Sequence, residues 1–211
     1  MRTLVIASQK GGVGKTTLAG HLGVEAERRG AGPVALIDTD PQGSLAAWWN
    51  VRSAETPAFA QVAIANLVDH LAALEDAGIK LAIIDTPPAV TDTIRAVLAV
   101  ADLVLIPTRP SPHDLRAVGS TVELVESANK RMVFVLNGAA VRARITGDAA
   151  VALSQHGTVA PVTIFQRTDF AQSMIDGRVC QELDQASRSS AEIGKLWDYV
   201  ATHLRKGAKH G

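Results

Sequence analysis

Short, continuous apolar runs alternate along this chain with longer stretches of helical period. The runs are Thr3–Ala7, Val34–Ile37, Leu81–Ile84, Leu103–Ile106, Val133–Leu136 and Val159–Ile164. They are rich in Val, Ile and Leu and lack polar alternation, as strands buried on both faces of a parallel sheet require. Between them the spacing predicts helices over Thr16–Arg28, Leu67–Ala77, Thr91–Val100, Asp114–Ala128, Asp148–Gln155, Phe170–Ile175 and Ser190–Arg205. Phe59–Ile64 is a weaker strand candidate, with no clear turn residues to bound it. Gly30-Ala31-Gly32-Pro33, Pro87-Pro88, the stretch from Pro107 to Pro112, and Gly138 fall where this scheme needs loops. Alternating strands and helices predict an α/β fold, a doubly wound and mainly parallel sheet with helices on both faces. Its ligands belong at the carboxyl ends of the strands. Residues 1–205 read as a single domain and 206–211 as a short basic tail.

Composition narrows the partners more than the fold. At 211 residues and 47% hydrophobic, the chain can bury one good core. Lys+Arg 21 balances Asp+Glu 21, so no whole-molecule field draws it to nucleic acid or membrane. DNA binding, if present, must come from a local basic patch. Cys180 is the sole cysteine, which excludes a disulfide framework and any paired-cysteine metal or iron–sulfur site. No apolar run approaches the roughly 18 residues of a transmembrane helix. The first residues lack the charged-then-apolar layout of a secretory signal. A cytoplasmic protein is expected.

Chemistry concentrates where the strands end. Directly after Leu4-Val5-Ile6-Ala7 stands Gln9-Lys10-Gly11-Gly12-Val13-Gly14-Lys15-Thr16-Thr17. Glycines let backbone N–H groups curl around an anion, and the following helix adds its positive end. Lys15 suits the outer phosphates of a nucleotide, and the Thr16 hydroxyl suits the Mg²⁺ that accompanies them. Gln9 stands where the strict phosphate-loop pattern has its first glycine, so this is a variant loop. Lys10 is a second lysine that an ordinary loop does not need. The second strand runs out into Asp38-Thr39-Asp40-Pro41, and two such acids divide into a group near the metal and a group that orients water. A carboxylate before Pro41 also suits a turn cap. The third strand ends Ile83-Ile84-Asp85, the Walker B pattern.

These residues resemble the ParA/MinD branch of P-loop ATPases, the deviant Walker A group. The resemblance rests on Lys10 to Thr17, Asp38 to Gly43 and Ile83 to Pro88. Ser111-Pro112-His113-Asp114-Leu115 and Phe165-Gln166-Arg167-Thr168-Asp169-Phe170 are similar to the short partition ATPases of the ParF type. The resemblance implies that Lys10 is a signature lysine reaching the phosphates of a facing subunit. Two ATP molecules are then sandwiched in an ATP-dependent homodimer. Asp40 would position the hydrolytic water, with Thr16, Asp38 and Asp85 around magnesium. Gly11, Gly12, Val13, Gly14, Lys15, Thr16 and Thr17 would cradle the nucleotide, and Asn137 would read the base. An asparagine at a strand end equally suits a turn.

Partition members of this kind imply a switch. The ATP dimer binds DNA non-specifically, associating with the nucleoid, and a ParB-like cargo adaptor triggers hydrolysis and release. Arg167 and Arg188 are the candidate DNA contacts, each also readable as a solvated surface charge. The chief alternative is a MinD-like membrane-associated ATPase. For that, Leu196, Trp197, Val200 and Leu204 form an apolar stripe, but the glycine-broken basic end makes a poor anchor and the stripe is expected to pack on the domain. A nucleotide-gated scaffold with negligible intrinsic turnover is a further alternative.

Overall fold

The computed structural model describes residues 1–88 and 92–206. The basic tail assigned to residues 206–211 lies outside them from residue 207 on, as does Thr91 at the start of one predicted helix.

Strands β1 (Arg2–Ile6), β2 (Val34–Asp38), β3 (Ala58–Gln61), β4 (Leu81–Asp85), β5 (Leu103–Thr108), β6 (Met132–Ala139) and β7 (Thr158–Phe165) form one seven-stranded sheet. Its order is β3-β2-β4-β1-β5-β6-β7, and every neighbouring pair runs parallel. The expected doubly wound sheet is therefore present, and it is parallel throughout. β3 occupies the Phe59–Ile64 candidate, stopping at Gln61 before a 3-10 turn over Ile64–Asn66.

The helices are α1 (Lys15–Arg28), α2 (Ser44–Asn50), α3 (Leu67–Asp76), α4 (Asp92–Ala99), α5 (Pro112–Ser127), α6 (Ile145–Ser154), α7 (Thr168–Ser173), α8 (Cys180–Leu183) and α9 (Arg188–Lys206). The two short helices α2 and α8 have no counterpart in the sequence pattern.

Alternation along β1 shows why its run is wholly apolar. Leu4 and Ile6 pack into one layer with α1, α8 and α9, while Val5 and Ala7 pack into the other with α3, α4, α5 and α6. All four are fully buried. The apolar residues Leu196, Trp197, Val200 and Leu204 of α9 are buried in the first layer. Among the described residues no helix is long and apolar enough to cross a membrane.

Topology then places the site. From β1 the chain winds outward on one side to β2, and from β4 it crosses to β5 on the other side of β1. Such a reversal opens a crevice at the carboxyl ends of the strands. Register brings the acids to that edge: Ile6 pairs with Asp85, and Asp38 pairs with Asp85 from the other flank.

Candidate nucleotide site

The loop between β1 and α1 turns on Gly12 (φ 72°) and Gly14 (φ 90°), left-handed conformations that favour glycine. A side chain at Gly14 would also collide with the Asn137 amide nitrogen. Gly14 caps α1 without a side-chain bond, and the first turn contains no acid. The helix end thus keeps free N–H donors and a positive dipole, with Lys15 adding charge that a helix start ordinarily disfavours. That arrangement fits an anion.

The cleft at this loop has a volume of about 520 Å³. Gly11, Gly12, Gly14, Lys15, Thr16, Thr17, Asp40 and Asn137 line it, with Arg109, Gln166, Arg167, Phe170 and Met174 toward β6, β7 and α7. Val13 is buried beneath the loop. Lys15 is 7% exposed, and its ammonium donates to the Lys10 carbonyl at 3.4 Å. Burial lowers its pKa, while Asp85 and Asp40 oppose that change. Lys10 is exposed, and among the described residues its ammonium has no hydrogen bond or ion pair.

The three acids have different surroundings. Asp85 is 1% exposed and accepts the Thr16 hydroxyl on Oδ2 at 2.5 Å, whereas its buried Oδ1 has no partner among the described residues. An orphaned carboxylate oxygen beside a hydroxyl is the donor set that Mg²⁺ and its waters satisfy. Asp38 is already engaged. Oδ1 accepts the Asp40 N–H, and Oδ2 accepts the Leu45 and Ala46 N–H groups, each at 3.0 Å, so Asp38 caps α2. Both of its oxygens therefore already accept backbone donors. Asp40 lines the cleft and uses Oδ1 for the Gln42 N–H at 3.0 Å, and its carboxylate has no further hydrogen bond among the described residues.

Desolvation raises the Asp85 pKa to about 7; Asp38 and Asp40 push the same way, and Thr16 and Lys15 oppose. A carboxyl raised from its unfolded value makes the folded state bind the extra proton between about pH 4 and 7. Its contribution is favourable below that window and is lost as pH rises through about 7. The nucleotide- and magnesium-free protein is expected to lose stability over this range. Asp85→Asn should remove that slope and raise Tm at pH 8 by several degrees, reflecting a few kcal/mol. Scanning calorimetry at pH 5 and pH 8 checks this. A variant that melts below the parent at pH 8 would contradict the raised carboxyl.

The remaining expected residues come from β6 and from the chain after β7. The pairing of β6 with β7 is irregular around Leu136 and Asn137–Ala139, with Gly138 at φ 65°. There Asn137 donates Nδ2–H to the Val13 carbonyl at 2.5 Å, bracing the loop rather than leaving that donor free for a base. Arg167 lines the cleft but is ion-paired, its Nε and Nη2 both on Glu192 Oε1 at 3.1 and 2.6 Å. Arg188 is exposed on the first turn of α9. The two arginines are therefore unequal: among the described residues Arg167 is ion-paired and Arg188 is not. Sequence reasoning had no role for Arg109, Phe170 and Met174 in the cleft. Arg109 was reachable from topology, since it directly follows β5 at the ligand edge.

A family model described as the CobQ/CobB/MinD/ParA nucleotide binding domain matches residues 4–195. The chain is 31% identical to Maintenance of carboxysome distribution protein A of Halothiobacillus neapolitanus over 208 residues, covering 94% of this chain and 95% of that protein. It is 29% identical to Protein ParA of Rhizobium radiobacter over 184 residues, 81% of each. The fold is similar to the septum site-determining protein MinD of Pyrococcus horikoshii complexed with Mg-ADP. The TM-score is 0.80 at 17% identity, covering 99% of both chains.

Proposed function

The chain belongs to the CobQ/CobB/MinD/ParA family of nucleotide-binding domains, and we propose that it is a ParA-like partition ATPase. Two chains close on two ATP molecules, and the closed dimer binds DNA without sequence preference. A ParB-like adaptor on a cargo stimulates hydrolysis and so releases the dimer from DNA. The observation that carries this reading is the unequal pair of lysines on one loop. Lys15 is enclosed among Asp85 and Asp40, whereas Lys10 is exposed with no counter-charge among the described residues. A cation presented in this way suits phosphates held by a facing copy.

Within one chain, backbone N–H groups of Gly11 to Thr17 cradle the phosphates and Lys15 neutralises them. Thr16 and Asp85 would hold magnesium, with Asp38 acting behind them through the α2 turn that it caps. Magnesium, when bound, offsets charge on the outer phosphates. Asp40 orients the attacking water. Asn137 contributes to the base end chiefly by bracing the loop. Arg188 contacts DNA phosphates, joined by Arg167 once Glu192 yields its place to a phosphate. The relative from Halothiobacillus makes a carboxysome a candidate cargo beside a plasmid or chromosome. The gene adjacent to this one would identify the adaptor.

Light scattering with ATP and with ADP tests the reading. The ATP form should be dimeric and retain random-sequence duplex DNA, with affinity falling steeply as salt rises. Lys10→Ala should bind ATP as a monomer and lose DNA. If the ATP form binds anionic vesicles and no DNA at low salt, the MinD-like alternative replaces this one.

A further inference from the structure

His21 is fully buried in the second turn of α1, and the chemistry above makes no use of it. Its ring joins the cleft-lining turn of α1 to the α7–α8 segment. Nε2 accepts the Cys180 backbone N–H at 3.3 Å, which puts the ring proton on Nδ1, and Nδ1–H donates to the Thr17 carbonyl at 2.8 Å. Ser173 Oγ lies 3.5 Å from Nε2, and the Phe170 ring meets the imidazole edge-on at 5.2 Å. The Gln181 amide adds a bond to the His21 carbonyl at 3.1 Å. Thr17 and Phe170 both line the cleft, one from α1 and the other from α7. Burial keeps the ring neutral, its pKa lowered to about 4.

We infer that His21 is a positioning residue that sets the distance between the phosphate-binding turn of α1 and the α7–α8 segment, whose Phe170 lines the same cleft. This rests on the nucleotide-binding reading of the cleft. Tripolyphosphate needs only the first of these parts, whereas ADP needs both, so the two ligands separate positioning from general stability.

His21→Asn keeps an N–H at the depth of Nδ1 but reaches neither Cys180 nor Phe170. Calorimetric titration should show ADP binding weakened ~10-fold, as for one lost buried link, with tripolyphosphate within about twofold of the parent. His21→Gln, which carries an acceptor to the depth of Nε2, should recover most of the ADP affinity. In the unaltered protein ADP should slow hydrogen exchange at the Cys180 amide, and tripolyphosphate should not. This measurement decides the matter if the variants do not fold. Equal weakening of both ligands, unchanged ADP affinity in His21→Asn, or equal protection by both ligands overturns the inference. An unaltered protein that binds neither ligand overturns instead the nucleotide-binding reading beneath it.

Discussion

Lys15→Ala is expected to lose ATP affinity by at least ~100-fold, an effect of roughly 3 kcal/mol or more. The side chain is enclosed at the start of α1 with Asp85 and Asp40 acting on it. Removing its ammonium deletes a phosphate partner and also leaves those carboxylates uncompensated, so they repel the incoming anion. Lys10 does not substitute, because it is exposed and only its backbone carbonyl meets Lys15. Lys15→Gln should behave similarly, since it keeps length but not charge. Isothermal titration with a slowly hydrolysed ATP analogue measures the effect. Parental affinity in either variant would remove the phosphate role from Lys15.

Asp40→Ala should divide binding from turnover. Of the three acids at this edge, Asp85 is buried against Thr16 and Asp38 accepts backbone donors on both oxygens. Asp40 alone combines a place on the cleft with an uncommitted oxygen among the described residues. A carboxylate aligning or accepting from water contributes ~10²–10⁴-fold to rate. The variant should therefore hold ATP near parental affinity while phosphate release falls at least ~100-fold. It should accumulate as the ATP-bound dimer. Phosphate release and light scattering on one sample give both quantities. Loss of ATP affinity together with turnover would make Asp40 a binding group.

Much of this was legible along the chain. The strands were recognisable because burial on both faces demands unbroken apolar runs, and the loop after β1 because glycine spacing and a lysine have few other uses. Asp38 and Asp85 were visible as strand-end acids. Their division of labour was not, since Asp38 becomes a cap through Leu45, seven residues onward. The same contact explains the missed helix α2, which has Gly43 at its start and no local capping side chain. Its N-terminus is completed from the end of β2, so no local signal existed to read.

The sequence by itself determined the sheet's class, the phosphate loop and the ligand edge, because each depends on neighbours a few residues apart. Tertiary structure alone decided which polar groups remain free. Arg167 is answered by Glu192, Asn137 by the Val13 carbonyl, and His21 by Cys180. Among the described residues Asp85 keeps one oxygen unanswered. A charged side chain buried in a fold takes whichever partner packing brings near. That choice is settled by contacts between segments far apart in the chain, which hydrophobic periodicity does not encode.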